Sequence, residues 1–213
     1  MIKIQVNTTQ QLNVDEFGLS EDTHDWGSGF YISEDGMILT AAHVIKRRSP
    51  LNREPITCYD PNTKRSFGPI IVYENEDLDI ALLQDPLYTL DPDKKCKYIR
   101  INAKGNRVRN GDLCYCIGFP AEMNEYNRIF GLSSGYITKS TTNLPGHLKV
   151  NWRKNVLTCN CEATTGFSGG ILIGSNFEPI GVILAIEEYK GEQTSCIVRR
   201  INEINENINE HLK

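Results

Sequence analysis

Short segments rich in isoleucine, valine, tyrosine and threonine recur along the chain, and turn-forming residues separate them. The separating sequences include SEDG at 33–36, DPNT at 60–63 and TNLPG at 142–146. β-Branched and aromatic residues favour strands, whereas glycine, proline, asparagine and aspartate favour turns. Many short strands at this spacing are typical of barrels and sandwiches. The pattern therefore predicts an all-β fold.

The predicted strands are Ile2–Val6, Gly29–Ile32, Met37–Thr40, Ile70–Tyr73, Ile80–Gln84, Leu113–Gly118, Gly131–Lys139, Val156–Cys161, Gly170–Ile173 and Ile180–Ile186. The last residues follow a different period, because Ile201, Ile204, Ile208 and Leu212 are spaced 3, 4 and 4 apart. That spacing predicts an amphipathic C-terminal α-helix that packs onto the second half of the chain.

The stretch after Gln84 contains Pro86, Pro92, several lysines and Gly105. Such a composition is typical of a surface connection rather than a core strand. We therefore predict an N-terminal β unit at residues 1–90 and a connection at 91–110. A C-terminal β unit at 111–198 and a helix at 199–213 complete the predicted division.

Charge and composition exclude several classes of function. The 213 residues have a net charge of −4, and neither sign gathers into a long block, which argues against a nucleic-acid partner. No apolar run reaches the length of a membrane span or of a secretion signal, so we expect a cytoplasmic protein that does not associate with membranes. In that compartment the seven cysteines are expected to stay reduced.

Three segments carry residue types that hydrolytic enzymes use. The sequence GSGFYI at 27–32, followed by DGMILTAAHV at 35–44, joins two predicted strands and places His43 near their end. The sequence DLDIALL at 77–83 puts Asp79 at the start of an apolar strand, with Asp77 as a second acidic candidate. The sequence TGFSGG at 165–170 holds Ser168 in a glycine-rich turn. Each segment alone is also compatible with ordinary core packing or a simple turn.

In the order His, Asp, Ser, these segments resemble the trypsin-like serine peptidases, especially the non-secreted and high-temperature-requirement (HtrA-type) branches. TAAHV, D-I-A-L and G-x-S-G-G elements occur there, and the likeness extends over roughly residues 27–201. The resemblance implies two packed six-stranded antiparallel β-barrels with the active site between them. Because only the predicted helix follows Ile201, no peptide-binding PDZ module is expected, which argues against an HtrA-like caged assembly.

The resemblance also implies a catalytic role for each motif. His43 would be the general base, Asp79 would hold its imidazole, and Ser168 would attack the scissile carbonyl. Asp79 is preferred to Asp77 because it directly precedes Ile-Ala-Leu, as in the family. The backbone N–H groups of Gly166 and Ser168 would form the oxyanion hole. The expected activity is that of a serine endopeptidase that forms an acyl-enzyme on protein or peptide substrates and needs no cofactor.

Phe167 departs from the family's zymogen-forming members, which carry an aspartate immediately before the catalytic serine. That aspartate pairs with a new N-terminus after cleavage, and phenylalanine cannot form this ion pair. We therefore expect no activation by N-terminal cleavage. Constitutive activity and control by an activating partner or an oligomer are the remaining alternatives.

The residue preceding the cut can be assigned in two ways. Family alignment places Glu162, six residues before Ser168, at the base of the specificity pocket, where it would attract lysine or arginine. Leu184 and Ala185 would form the pocket wall, while Ile186 and Ser195 occupy positions that must be small if a long side chain is to enter. A shallow pocket would favour alanine or valine. Both alternatives stay open, because a one-residue slip turns a strand residue to the other face.

Two C-x-C pairs, Cys114/Cys116 and Cys159/Cys161, each present two sulfurs on one face of a predicted strand. Four thiolates could hold a structural zinc ion. Free cysteines also pack as small hydrophobic residues. We expect reduced core thiols and no metal, and a structural zinc site is the alternative.

Two further hypotheses keep the same fold. In one, the domain is catalytically silent and binds extended peptides by adding them as a strand to a sheet edge. In the other, a regulated maturation protease acts on a single protein partner. Broad cleavage of an unstructured protein would distinguish the second hypothesis from a general endopeptidase.

Overall fold

The computed structural model describes residues 1–9, 22–46, 56–101, 107–121, 130–139, 156–189 and 192–211. Antiparallel strands dominate these ranges, and the longest of the helices that they contain lies at the C-terminal end. The predicted all-β fold with a C-terminal helix is confirmed. None of the helices in this part of the chain is long and apolar enough to span a membrane. The cytoplasmic location stays a prediction.

The first half of the described chain forms one curled antiparallel sheet. Its strands are β1 (Ile2–Thr9), β2 (Asp22–Tyr31), β3 (Met37–Thr40), β4 (Ile56–Asp60), β5 (Arg65–Phe67), β6 (Ile70–Asn75) and β7 (Ile80–Gln84). Their hydrogen-bonded order is β5-β4-β1-β2-β3-β7-β6. The sheet thus has seven strands where six were expected, and the outermost pair, β5 and β6, are not hydrogen-bonded neighbours.

Two short helices accompany this sheet, α1 (Ala42–Ile45) and α2 (Pro86–Leu90). The first begins directly after β3, so it continues from a buried central strand of the sheet. The second has Asp85 as its N-cap, and the Asp85 carboxylate accepts the backbone N–H of Leu87 at 3.0 Å. A proline at the first helical position and an aspartate cap form a favourable helix start.

The second half forms a closed six-stranded barrel, as expected. Its strands are β8 (Leu113–Gly118), β9 (Gly131–Lys139), β10 (Val156–Cys159), β11 (Ile171–Gly174), β12 (Pro179–Tyr189) and β13 (Glu192–Arg200). The order around the barrel is β10-β13-β12-β11-β8-β9. Strand β8 alternates half-buried and buried positions, so Cys114 and Cys116 point into the interior. This alternation is the two-residue period of a strand with one buried face.

The C-terminal helix α3 (Ile201–His211) packs its isoleucine stripe inward. Ile201, Ile204 and Ile208 are buried and belong to the same apolar cluster as the first sheet and parts of β11, β12 and β13. The helix begins at Ile201 rather than at residue 199, and Arg199 and Arg200 end strand β13. Leu212 lies outside the described residues. Helix α3 therefore links the two halves through one continuous core.

Candidate active site

His43 and Asp79 come together on the first sheet. The one-turn helix α1 carries His43, and Asp79 ends the turn at residues 76–79 that leads into β7. Nδ1 of His43 lies 2.7 Å from Oδ2 of Asp79, and Oδ1 of the same carboxylate accepts the His43 backbone N–H at 2.8 Å. Since a carboxylate accepts the Nδ1 hydrogen, Nε2 is the acceptor nitrogen of a neutral ring. Both the ring orientation and the tautomer of His43 are therefore set by Asp79.

Asp79 occupies a backbone conformation that few residues adopt. Its φ is +56°, in the left-handed region, which costs a residue with a Cβ about 1–2 kcal/mol. Aspartate is among the residues that tolerate it best. The Asp79 side chain is only 6% exposed, and that of His43 is 28% exposed. Asp77 is exposed on the same turn, so the carboxylate that contacts His43 is that of Asp79.

Ser168 lies in a tight turn, residues 164–170, which we call the serine turn. The Phe167 N–H donates to the Thr164 carbonyl at 3.1 Å, and the Gly170 N–H donates to the Phe167 carbonyl at 2.8 Å. The Gly169 N–H donates to the Ile183 carbonyl of β12 at 2.7 Å. The Ser168 hydroxyl donates to the Leu184 carbonyl at 3.1 Å. The turn is thus fixed both internally and to the neighbouring strand.

Within the described part of the chain, the backbone N–H groups of Gly166 and Ser168 have no hydrogen-bond partner, although those of residues 167, 169 and 170 do. Buried backbone N–H groups are almost always paired in proteins. Gly166 is buried and Ser168 is half-buried. Two unpaired donors at alternate positions of one turn are a typical site for a negatively charged oxygen.

Glycine is required at two positions of the serine turn. Gly166 has a φ of +96°, and a Cβ there would lie 2.3 Å from the Phe119 carbonyl oxygen. Gly169 has a φ of +81°, and a Cβ there would lie 2.1 Å from the Ser28 carbonyl oxygen. Real Cβ atoms do not approach backbone oxygens that closely. The G-x-S-G pattern therefore has a steric reason at each glycine.

Ser28 joins the first sheet to the serine turn, and the sequence alone did not assign it a role. Its backbone N–H donates to the Ser168 carbonyl at 2.8 Å, and its hydroxyl donates to the Gly166 carbonyl at 2.7 Å. The same hydroxyl accepts the Phe119 N–H at 2.8 Å. Ser28 is fully buried. A serine between two glycines at the start of an apolar strand was the signal that could have identified it.

One open cavity of about 460 Å³ contains both His43 and Ser168 in its lining. Apart from His43, the residues that line it have no acidic or basic side chain. They are Trp26, His43, Val44, Ala121, Thr164, Thr165, Gly166, Phe167, Ser168, Ile183, Leu184, Ala185 and Ile186. The cavity thus brings the His43–Asp79 pair, Ser168 and the two unpaired N–H groups to one place.

The predicted specificity residues divide into two groups. Leu184, Ala185 and Ile186 line the cavity beside Ser168, as expected of a pocket wall. Glu162 is exposed and does not line it. Ser195 is buried outside the lining, and its hydroxyl donates to the Glu187 carboxylate at 2.8 Å.

Comparison with known proteins agrees with this geometry. A family model described as the trypsin-like peptidase domain matches residues 27–182. The chain belongs to the trypsin-like peptidase family. Do-like protease 14 from Arabidopsis thaliana is 29% identical over 161 residues, which are 73% of this chain and 34% of that protein. Mitochondrial serine protease HTRA2 from Drosophila virilis is 27% identical over 183 residues, which are 85% of this chain and 39% of that protein.

The expected relation to HtrA-type peptidases is therefore confirmed, and so is the general assignment as a serine-protease domain. The chain spans less than two fifths of the length of either of these two relatives. The activity, substrates and partners of a whole protein of this kind are accordingly matters for proposal.

In this trypsin-like domain, Phe167 anchors the serine turn by apolar packing. Its side chain is 4% exposed and belongs to the core cluster inside the barrel. A Cβ on Gly118 would lie 2.8 Å from the Phe167 ring, and one on Gly131 would lie 2.7 Å from it. Two glycines thus make room for the ring. The position that zymogens use for an ion pair is here part of the barrel core.

The cysteines of the domain show which residues could hold a metal ion. None of the seven is in a disulfide, and five meet inside the barrel, all fully buried: Cys114, Cys116, Cys159, Cys161 and Cys196. The Cys114 and Cys161 sulfurs are 3.7 Å apart, and those of Cys116 and Cys159 are 3.9 Å apart. Among the described residues the sulfurs form groups of three within 4.8 Å that share Cys159. A tetrahedral zinc site takes four ligands, and these groups offer three sulfurs each, so the expectation of reduced core thiols without a metal stays a prediction, with zinc as its alternative.

We predict that Phe167→Ala lowers the free energy of unfolding by about 3–5 kcal/mol, because it leaves a cavity under the serine turn. Chemical denaturation would measure the change. Phe177→Ala is the matched control, since Phe177 is 76% exposed and loses a stacking contact with Tyr115, so its effect is expected to stay within about 1.5 kcal/mol. Equal stability of the two variants would contradict the anchoring role of Phe167.

Proposed function

We propose that this trypsin-like domain is an active serine endopeptidase with His43, Asp79 and Ser168 as its catalytic triad. The observation that carries the proposal is the His43–Asp79 pair, joined at 2.7 Å, on the same cavity as a glycine-held serine. A serine hydroxyl is a weak nucleophile until a neighbouring base removes its proton. In His43 the geometry supports a base that carries its hydrogen on Nδ1, toward Asp79, and accepts a proton at Nε2.

The proposed reaction begins with a change of hydrogen bond at Ser168. In the free protein its hydroxyl donates to the Leu184 carbonyl at 3.1 Å. Turning that hydroxyl toward His43 allows Nε2 to take the proton as Ser168 Oγ bonds to the scissile carbonyl carbon. His43 then gives the proton to the leaving amine, and the carbon–nitrogen bond breaks to leave an acyl-enzyme. Water, deprotonated by the same base, hydrolyses the ester and restores Ser168.

Asp79 and the serine turn stabilise the charges that develop in this reaction. The Asp79 carboxylate, nearly buried against Nδ1, stabilises the imidazolium that forms on His43. The N–H groups of Gly166 and Ser168 would receive the oxyanion of the tetrahedral intermediate, which their lack of other partners among the described residues supports. One such donor typically contributes a factor of about 10²–10³ to the rate.

The cavity lining favours substrates with an apolar residue immediately N-terminal to the scissile bond. Ile183, Ala185 and Ile186 present hydrocarbon to the cavity, and no acidic residue lines it within the part of the chain that the structure describes. A lysine or arginine side chain would lose its hydration there without gaining a carboxylate partner. Since Glu162 lies outside the lining, we favour the smaller apolar alternative over the basic one. Activation by N-terminal cleavage is not part of this proposal, because Phe167 has no charge to pair.

Reaction with a fluorophosphonate tests the nucleophile directly. We expect a covalent adduct on Ser168 of the wild-type protein, located by peptide mass spectrometry, and none in Ser168→Ala. The neighbouring Thr165→Ala variant controls for general effects on the cavity and should still label. A folded wild-type protein that does not label would instead favour the silent or partner-activated form, in which the Ser168 hydroxyl stays on Leu184.

A charge-removing pair of variants tests the assignment of Asp79. Asp79→Asn should reduce kcat for an unstructured protein substrate by about 10⁴, because the amide favours the wrong imidazole tautomer. Asp77→Asn removes the same charge from an exposed position two residues away and should leave kcat within about twofold, as surface changes usually do. Equal losses in the two variants would remove Asp79 from the triad.

Cleavage of a peptide library would measure the preferred residue before the cut. We expect alanine, valine or leucine to be enriched and lysine and arginine to be depleted, because none of the described lining residues carries a carboxylate. Glu162→Gln should leave this profile unchanged. A preference for basic residues that Glu162→Gln abolishes would show that Glu162 reaches the bound side chain.

A further inference from the structure

Arg199 stands first, by volume, among the large side chains that the structure buries completely. It lies on β13 in the second barrel, and its side chain is 1% exposed. Its Nε donates to the carbonyl of Leu78 at 2.9 Å. Leu78 belongs to the first sheet and directly precedes Asp79. A buried charge thus extends from one half of the molecule to the peptide that carries the Asp79 carboxylate.

This hydrogen bond acts on the torsion that orients Asp79. The Leu78 carbonyl and the Asp79 N–H belong to one planar peptide unit. Rotation of that unit about the Asp79 N–Cα bond is the φ torsion, which stands at an unfavourable +56°. A bond that fixes the carbonyl therefore opposes relaxation of φ. Relaxation would move the carboxylate away from His43.

The preceding peptide unit of the same turn is held from helix α3. The Leu78 N–H donates to Oδ1 of Asn75 at 2.9 Å. The Asn75 side-chain amide donates to Oδ1 of Asn207 at 3.0 Å, and the Tyr73 hydroxyl donates to the same oxygen at 2.9 Å. Asn207 lies in the middle of α3. Arg199 of β13 thus holds the Leu78 carbonyl directly, and Asn207 of α3 supports its N–H through Asn75.

The charge on Arg199 is compensated at the site. Its Nη1 lies 3.4 Å from Oε2 of Glu203, four residues later in the first turn of α3. Burial lowers the pKa of Arg199, and the carboxylates of Glu203 and Asp79 raise it. Buried charges persist in proteins when they are paired and hydrogen-bonded. An apolar residue would fill this space at less cost, so a charged one is expected to have a positional role.

We propose that Arg199 and Asn207 are positioning residues for Asp79, through which the second barrel and α3 keep the triad carboxylate on His43. The inference rests on the proposed function, because the reaction is where the position of Asp79 becomes measurable. It names residues outside the three sequence motifs and outside the cavity. Neither residue contacts the substrate in this proposal.

A double-mutant cycle separates positioning from general stability. We expect Arg199→Met to reduce kcat about 10-fold to 100-fold, as small displacements of catalytic groups do, with KM unchanged because the cavity is intact. In an Asp79→Asn background the same substitution should change kcat less than about threefold, since coupled residues are not additive. Arg199→Lys, which keeps the charge, should recover part of the activity. Arg200→Met, one residue along β13, is the matched control and should match wild type.

The proposal would be overturned if Arg199→Met reduced kcat equally in the wild-type and Asp79→Asn backgrounds. Full activity of a folded Arg199→Met protein would overturn it as well. If Arg199→Met does not fold, Asn207→Ala takes its place in the cycle. Asn207 is half-buried, so its truncation is better tolerated. A reduced kcat at constant KM that disappears in the Asp79→Asn background supports positioning, and full activity of Asn207→Ala contradicts it.

A spectroscopic readout distinguishes failure of this inference from failure of the proposed function. The His43 Nδ1 proton, shared with Asp79, should give a downfield proton resonance whether or not the protein hydrolyses peptides. We expect that resonance in wild type and Arg200→Met, and its loss or broadening in Arg199→Met and Asn207→Ala. An unchanged resonance in the last two would overturn the positioning role even if wild type proved inactive.

Discussion

The rest of the site depends on the position of the serine turn relative to the first sheet. His43 and Asp79 belong to one half of the molecule and Ser168 to the other, so no local motif can set the distance between base and nucleophile. Ser28 sets it by donating both its N–H and its hydroxyl to carbonyls of the serine turn, at 2.8 and 2.7 Å. Because Ser28 is fully buried, these bonds form where water does not compete, and breaking one leaves an unpaired buried group.

A second contact between the two halves, at the Asp79 turn, involves a buried charge. At Ser28 the halves are joined by neutral hydrogen bonds, whereas at Leu78 a buried guanidinium donates to a carbonyl beside a strained residue. The strain at Asp79 is small compared with the cost of leaving Arg199 unpaired in the interior. The left-handed conformation therefore persists as long as the second barrel and α3 are folded against the first sheet. Formation of the His43–Asp79 pair is in this way coupled to assembly of the whole domain.

The sequence predicted local features well and long-range ones poorly. Strands such as Met37–Thr40 and Leu113–Gly118 were predicted at their observed bounds because their apolar runs directly follow turn residues. Strand β13 was missed, since its sequence EQTSCIVRR begins with polar residues, and its arginines were assigned to the helix. Ser28 and Arg199 act on residues 138 and 121 positions away, respectively, and no sequence period reports such pairs. Glu162 was placed by alignment at the base of the pocket, but it follows the end of β10, outside any strand, and is exposed.

Phe167 holds the serine turn by apolar packing, in place of an ion pair that forms only after cleavage. An ion pair made by a newly cut N-terminus forms only after cleavage, whereas a ring packed between Gly118 and Gly131 forms as the barrel folds. Apolar burial of this size stabilises by several kcal/mol, which is enough to keep the N–H groups of Gly166 and Ser168 in place without any charge. In the proposed endopeptidase, a ring in this position makes the serine turn independent of an N-terminal ion pair. Control of that activity would then act on other contacts, such as the hydrogen bond between Ser168 and Leu184 or those that hold Asp79.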